Sequence, residues 1–249
     1  MSALLLALAA GGVVGLVLGA LGGGGSVLAV PALIYLLGFS PLAATTASLI
    51  IVTITSATAL FAHAREGQVR WGTGAVFAAA GIVPAALGGV LAGQLPAALL
   101  TAAFAVIAAL AAVAMLRPSA QVELEGVRAR WPVTVGTGGG LGALTGVLGV
   151  GGGFLAVPAL VKPIGLRMRA AVATSLLVIT VNSLAALATR AGTAEALDWA
   201  VIAPFTGAAV LGAWDGKRLA AKVSGRLLQQ IFAYVLLAVA ALMLMDSLI

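Results

Sequence analysis

The segment LAVPAL at residues 28–33 recurs letter for letter at residues 155–160, which is 127 positions further along the chain. A glycine-rich run precedes each copy, Gly22-Gly23-Gly24-Gly25-Ser26 in the first and Gly149-Val150-Gly151-Gly152-Gly153 in the second. The same offset aligns further polar residues, namely Ser48, Thr53 and Ser56 with Ser175, Thr180 and Ser183. An aligned proline and an ungapped register do not arise from composition alone, so we interpret the chain as two copies of one unit.

The composition is that of a protein surrounded by lipid. Apolar residues make up 62% of the 249 residues, charged residues make up 8%, and the mean hydropathy is +1.20. Soluble domains are roughly one-quarter charged, so this chain has too few polar residues to coat a water-soluble core of its size. The net charge of +6 comes from residues in short connections, which favours membrane orientation over nucleic-acid binding. Without cysteine the chain has no thiolate metal site, and we expect neither a metal nor another cofactor.

Ten hydrophobic segments predict an all-α integral membrane protein. We assign residues 1–116 to the first inverted repeat, 117–131 to a cytoplasmic connection and 132–249 to the second inverted repeat. The predicted segments are 3–21, 27–37, 42–62, 72–93, 97–116, 132–148, 154–164, 170–188, 199–213 and 227–247. The second segment of each repeat has 11 residues and would span about 16 Å, half of a ~30 Å hydrocarbon core. Each repeat is therefore predicted to combine a re-entrant or broken helical hairpin with three transmembrane helices.

The basic residues test this topology. If each hairpin enters and leaves on one face, twelve of the 13 basic residues share a face and only Arg190 lies opposite. If each hairpin crossed the membrane once, the same charges would divide six against seven and give no orientation signal. The positive-inside rule therefore favours the hairpins and puts both termini outside the cytoplasm. Five segments are an odd number, so the two repeats are predicted to be inverted, an architecture typical of secondary transporters.

The glycine runs are the first candidate substrate site. A helix that starts at membrane depth has unpaired N–H groups and a partial positive charge, which favour an anion. The candidate residues are Gly22, Gly23, Gly24, Gly25, Ser26, Gly149, Gly151, Gly152 and Gly153. Two alternatives stay open, because Ser26 fits a helix N-cap and glycines also serve helix packing. We assign to packing the glycines with GxxxG spacing, which are Gly11, Gly15, Gly19, Gly138, Gly142 and Gly146.

Hydroxyl and amide side chains on the helix after each hairpin form a second candidate group. Its members are Thr45, Thr46, Ser48, Thr174, Ser175 and Asn182, which could donate hydrogen bonds to anion oxygens. The alternative is that these hydroxyls bond their own helix backbone. No Asp, Glu, Lys or Arg falls in the middle of a predicted span, which argues against a proton relay or a cation site. We assign the lone His63, next to Arg65 and Glu66, to the membrane interface.

The sequence resembles the sulfite exporter TauE/SafE family, also called the toluene sulfonate uptake permeases. The resemblance lies in the glycine run, the Val-Pro-x-Leu segment and the Ala-Thr-Ser-Leu segment at 173–176. The second repeat carries the pattern in full, whereas the first reads Thr46-Ala47-Ser48-Leu49. Arg70 also replaces an acidic residue of the family pattern in the first repeat. The resemblance implies transport of small sulfur-containing or organic anions, such as sulfite, sulfonates or sulfoacetate, across the cytoplasmic (inner) membrane of a prokaryote.

Three classes of function compete. The leading hypothesis is a secondary anion transporter that alternates access around a site between the two hairpins near the midplane. An anion channel or a non-transporting membrane subunit is the alternative. An intramembrane hydrolase using Ser26 and His63 is disfavoured because a nucleophile and its base must touch, and these residues are predicted at different depths. We therefore expect no enzyme activity and no catalytic residues. The expected partners are a small anion and the lipid bilayer, not nucleic acid, and a homo-oligomer is left open.

Overall fold

The computed structural model describes residues 2–22, 24–92, 96–116, 131–148, 153–162, 164–188 and 197–248. Within these ranges all regular structure is helical, in agreement with the all-α prediction. The elements are α1 (Ser2–Leu21), α2 (Gly24–Pro31), a π-helical segment (Ala32–Leu36), α3 (Pro41–Ala64), α4 (Trp71–Ala92), α5 (Ala97–Leu116), α6 (Trp131–Leu148), α7 (Gly153–Val161), α8 (Met168–Ala188), α9 (Trp199–Ala221) and α10 (Gly225–Leu248).

The helices follow the predicted segments closely, with two corrections. Helix α9 continues to Ala221 rather than ending at residue 213, because the charged residues after that position lie on the helix instead of in a connection. Helix α2 begins at Gly24, so Ser26 lies inside its first turn and the N-cap interpretation is wrong. The short helical segments are confirmed, since α2 and the π-helical segment that continues it end at Leu36 and α7 has 9 residues. Residues 117–130 of the connection lie outside the described residues.

The surface of the bundle is apolar and part of its interior is polar. Leu5, Leu110 and Leu211 expose 63%, 66% and 71% of their surface, whereas Ser48 and Asn182 expose 0% and 1%. Five of the described helices are long and apolar enough to cross a membrane: Ala3–Leu21, Ala43–Ala64, Trp71–Gly88, Met168–Ala188 and Gly225–Leu242. This distribution is the reverse of a soluble fold and fits a multi-pass membrane protein.

Close glycine contacts join α1 to α9 and α4 to α6. Five glycines lie so close to the facing helix that an added Cβ would overlap one of its backbone carbonyls. At Gly138 the added Cβ would lie 2.6 Å from the carbonyl oxygen. The contacting pairs are Gly11 with Phe205, Gly15 with Ala209, Gly19 with Ala213, Gly138 with Phe77 and Gly142 with Gly81. For these five glycines the assignment to helix packing is confirmed, because only a residue without a side chain allows such close backbones.

The two interfaces are equivalent under the 127-residue repeat. The counterparts of α1 and α9 are α6 and α4, and the structure pairs α6 with α4 just as it pairs α1 with α9. Helices α3 and α8, which are counterparts of one another, pack together directly. The contact between α3 and α9 likewise has its counterpart in the contact between α8 and α4. The repeat found in the sequence is therefore also a repeat of helix contacts, and α3 and α8 lie where its two copies meet.

Candidate functional site

Polar side chains, most of them buried, are clustered on α3 and α8, two helices that pack together. We call this set the polar layer, and its members are Ser48 and Ser56 on α3 and Ser175, Thr180, Asn182 and Ser183 on α8. All except Thr180 expose no more than 1% of their surface. Ser175 and Asn182 are seven residues apart, so they share one face of α8 and are separated by about 10 Å along its axis. The predicted candidate Thr46 is also fully buried on α3.

The first glycine turn packs against one end of this layer. Gly22 has a φ of +67°, which side-chain-bearing residues rarely adopt. A Cβ at Gly22 would also lie 2.7 Å from Ser175 Oγ and 3.0 Å from the Val172 carbonyl oxygen. Two independent restrictions therefore require glycine here. The structure thus brings Gly22 of the first repeat against Ser175 of the second, two of the residues predicted for the site.

Two predicted donors make structural hydrogen bonds. Ser175 Oγ donates to the Val172 carbonyl oxygen at 2.8 Å, which is a bond to its own helix. Thr174 Oγ1 accepts a hydrogen bond from the backbone N–H of Arg70 at 3.0 Å. Thr174 therefore ties α8 to the start of α4. Its hydroxyl hydrogen and the lone pairs of Ser175 are the groups left for a ligand at this end of the layer.

Three residues of the polar layer have polar atoms without a hydrogen bond. Ser48 Oγ, Ser183 Oγ and both amide atoms of Asn182 are buried and unpaired. The Asn182 amide faces α4, where a Cβ at Gly81 would lie 3.0 Å from Nδ2. Each such group costs about 1–3 kcal/mol when it is buried without a partner. Unpaired donors of this kind are expected where a polar ligand binds transiently.

The repeat aligns two pairs of hydroxyl residues on α3 and α8, and the structure joins only one of these pairs by a hydrogen bond. Ser56 Oγ and Thr180 Oγ1 are 2.9 Å apart, and Thr180 donates its own hydrogen to the Leu176 carbonyl oxygen at 2.7 Å. The Thr180 lone pairs therefore face the Ser56 hydroxyl, whose single hydrogen is shared with the Thr53 carbonyl oxygen at 3.3 Å. The repeat makes Thr53 and Ser183 the equivalent pair, but Thr53 donates to the Leu49 carbonyl oxygen and Ser183 is unpaired. Sequence reasoning aligned these four residues without assigning them to the site.

The remaining predicted residues divide into two groups. Gly24, Gly25 and Ser26 form the first turn of α2, and Gly153 is the first residue of α7. Gly23, Gly149, Gly151 and Gly152 lie outside the described residues. Among the side chains that the structure does describe, no cluster of His, Cys, Asp or Glu could hold a metal ion. The layer itself offers neutral hydroxyl and amide groups.

Comparison with known proteins gives consistent matches. Residues 7–243 match the protein family described as sulfite exporter TauE/SafE. A "Probable membrane transporter protein" of Xylella fastidiosa (strain Temecula1 / ATCC 700964) is 32% identical over 249 residues, which cover 95% of this chain and 93% of the relative. A protein of the same name from strain 9a5c is 32% identical over 248 residues, with the same coverage. No solved structure matches the chain.

Proposed function

The chain belongs to the sulfite exporter TauE/SafE family of membrane transporters, and from this premise we propose that it is a secondary transporter of small sulfur-containing anions. The proposed class comprises sulfite, sulfonates, sulfoacetate and thiosulfate. The anion binds within the membrane, where the two glycine hairpins meet the polar layer. Two inverted repeats then rock around it and open the site to one side at a time, across the inner membrane of a prokaryote.

The unpaired groups of the polar layer carry this proposal. Ser48, Asn182 and Ser183 hold buried polar atoms that an incoming ligand would pair. Among the described buried residues none is Asp, Glu, Lys or Arg, so the layer lacks the carboxylates that a cation site needs. Hydroxyl and amide N–H groups donate to oxygen, which suits an oxyanion. The sulfur-containing class is inferred from the family name, and the neutral donors are compatible with a sulfite or sulfonate group.

Two observations support a carrier over an open channel. Ser48, Asn182 and Ser183 expose at most 1% of their surface, so the layer is closed in this conformation. The layer is also asymmetric, since Ser56 pairs with Thr180 while the equivalent Ser183 has no partner. In an inverted-repeat carrier the two copies exchange conformations, so the opposite state would pair Ser183 with Thr53 and release Ser56. Alternating access accounts for an asymmetry that a static two-fold pore would lack.

Counterflow of labelled anions into proteoliposomes tests the proposal, and Asn182→Leu is the informative variant. The apolar side chain has a similar size and removes two unpaired polar atoms, so the unfolding temperature should stay the same or rise. Transport should nevertheless fall by about 10-fold or more, because a hydrogen bond to an anion contributes about 1.5–3 kcal/mol.

Thr58→Val is the matched control, because the Thr58 hydroxyl bonds its own helix at the Ile54 and Thr55 carbonyl oxygens. Its transport rate should stay within about two-fold of the unaltered protein, since no ligand contact is lost. If sulfite, thiosulfate and methanesulfonate all cross no faster than in empty vesicles, the substrate class is wrong. If Asn182→Leu transports normally, the polar layer is not the binding site.

A further inference from the structure

A second polar region lies at one end of the bundle, outside the polar layer. It is a cavity of about 390 Å³ between the ends of α3, α8, α9 and α10, which we call the basic cavity. Four of its lining residues are cations and one is a carboxylate: Arg65, Arg169, Lys217, Arg218 and Glu66. Ala20 and Val172 also line it, and Val172 contacts the Gly22 turn. Val172 thus connects the wall of the basic cavity to the first glycine turn.

A chain of polar contacts runs along the wall of the basic cavity. Lys217 Nζ lies 2.6 Å from Glu66 Oε1 and also donates to the Ala62 carbonyl oxygen at 2.6 Å. Gln68 Nε2 donates to the other oxygen of the same carboxylate, Glu66 Oε2, at 2.9 Å. The two oxygens of Glu66 are thus held by two donors from different segments, an ammonium group on α9 and an amide in the connection between α3 and α4.

His63 anchors this arrangement. Its Nδ1 lies 2.9 Å from Gln68 Oε1, and because Gln68 Nε2 faces a carboxylate, Oε1 must accept the hydrogen of Nδ1. His63 lies in the last turn of α3 and is 5% exposed, so neighbouring elements cover its ring, while its position at the membrane interface stays a prediction. This hydrogen bond holds Gln68 with its Nε2 directed at the Glu66 carboxylate.

We propose that the basic cavity is a second anion-binding site, in which the Glu66 carboxylate occupies the position of the ligand. Glu66 shows the geometry required, namely two oxygens of one oxyanion accepting from Lys217 Nζ and Gln68 Nε2. A small sulfonate, sulfite or carboxylate presents the same pair of oxygens. The inference deepens the proposed transport function and rests on it, because the basic cavity adjoins the Gly22 turn and would load the anion from this face.

The exposure of Lys217 and Glu66 indicates which side chain of this ion pair an incoming anion would displace. The Lys217 side chain is 17% exposed, whereas the Glu66 side chain is 50% exposed and belongs to a connection. Glu66 can therefore turn into water while Lys217 stays fixed by the Ala62 carbonyl oxygen. A half-exposed ion pair is weak, so an anion in solution can compete with it. The surrounding Arg65, Arg169 and Arg218 add positive potential that attracts the competitor.

Opposite effects of two variants test the proposal. Binding of sulfite, thiosulfate and methanesulfonate is measured by calorimetry on the purified full-length protein in detergent. Glu66→Gln removes the internal competitor and should lower the Kd of the bound anion by about three-fold or more, because the Lys217 ammonium becomes free. Lys217→Met removes the main charged donor and should raise the Kd by about ten-fold or more. A purely structural ion pair would give both variants the same sign.

Asp215→Asn is the matched control. Asp215 pairs with Arg218 at 3.4 Å on the same helix, and these side chains are 63% and 75% exposed, so the variant changes the net charge as Glu66→Gln does without freeing Lys217. The Kd should therefore fall by much less than in Glu66→Gln. If Lys217→Met does not fold, the anion-dependent rise in the unfolding temperature of Glu66→Gln decides instead, and it should exceed that of the unaltered protein.

Two results overturn the proposal. The first is that none of the three anions binds to the unaltered protein or to Glu66→Gln. The second is that Glu66→Gln binds the anion more weakly than the unaltered protein does. The proposed transport function is separable, because it is measured as flux and through Asn182→Leu. Retained flux with an unchanged Kd in both Glu66→Gln and Lys217→Met rejects the second site alone. Tight binding in Glu66→Gln without any flux rejects the transport function alone.

Discussion

Replacement of Gly22 by alanine separates two reasons for a glycine in the first turn. The positive φ of +67° alone costs a Cβ-bearing residue about 1–2 kcal/mol. The new Cβ would also lie 2.7 Å from Ser175 Oγ, which is closer than real Cβ contacts, and 3.0 Å from the Val172 carbonyl oxygen, which is tighter than most of them. Relief of such overlap typically costs a further 1–3 kcal/mol or so. We therefore expect Gly22→Ala to destabilise the protein by about 2–5 kcal/mol in total.

Gly38→Ala is the comparison that isolates the steric part. Gly38 has a φ of +71°, but nothing lies within 4 Å of its added Cβ, so only the conformational cost of about 1–2 kcal/mol remains. Unfolding in mild detergent and anion counterflow are measured for both variants. Gly22→Ala should lose most of its transport and Gly38→Ala should keep it, because only the first displaces the turn from Ser175.

The double variant Gly22→Ala with Ser175→Ala sharpens the test. Removal of Oγ eliminates the closest contact, so part of the lost stability should return, while the conformational cost of the positive φ remains. Equal effects of Gly22→Ala and Gly38→Ala on stability and transport would refute the reasoning, since the close approach of Gly22 to α8 would then have no consequence.

Two further predictions concern helix contacts. Gly142→Ala should destabilise the α4–α6 pair by about 1–3 kcal/mol, because its Cβ would overlap the Gly81 carbonyl. Gly140 is exposed and has no atom within 4 Å of an added Cβ, so Gly140→Ala should be neutral or slightly stabilising. Thermal unfolding measures both effects. Ser56→Cys combined with Thr180→Cys should form a disulfide, because the two hydroxyl oxygens are 2.9 Å apart and the chain has no other cysteine. Oxidation should stop counterflow and reductant should restore it; unaltered flux in the cross-linked protein would show that α3 and α8 do not separate there during transport.

The helices were predictable because the residues that end each helix are its neighbours in sequence. Glycine runs, prolines and charge clusters mark where each apolar segment ends, and α2 and α7 are short because those marks lie close together. The packing glycines were predictable for the same reason, since GxxxG spacing puts small residues on one face of a helix. The end of α9 was misplaced because Asp215, Lys217 and Arg218 were interpreted as a connection, whereas they extend the helix along the basic cavity.

The site was only partly predictable, since its contacts join distant parts of the chain. Ser48, Ser175 and Asn182 were candidates from their residue type and position, and the structure shows that all three are buried in the polar layer. The bonds that give Thr174 and Ser175 structural roles depend on backbone positions that the sequence does not specify. The burial of His63 was not predictable because it depends on elements that are far away in sequence.

The proposed function gives the two regions different tasks because their charges differ. Cations at membrane depth would bind an anion strongly in a low dielectric and would also oppose its release. In the proposed function, Arg65, Arg169, Lys217 and Arg218 attract the anion at the basic cavity, while Ser48, Asn182 and Ser183 offer neutral groups in the closed interior. A transport site must bind well enough to be entered and weakly enough to be left, as in ion channels. Attraction by charge at the mouth and pairing with neutral donors inside satisfy both requirements, and so a charged residue introduced at Asn182 would be expected to trap or exclude the anion.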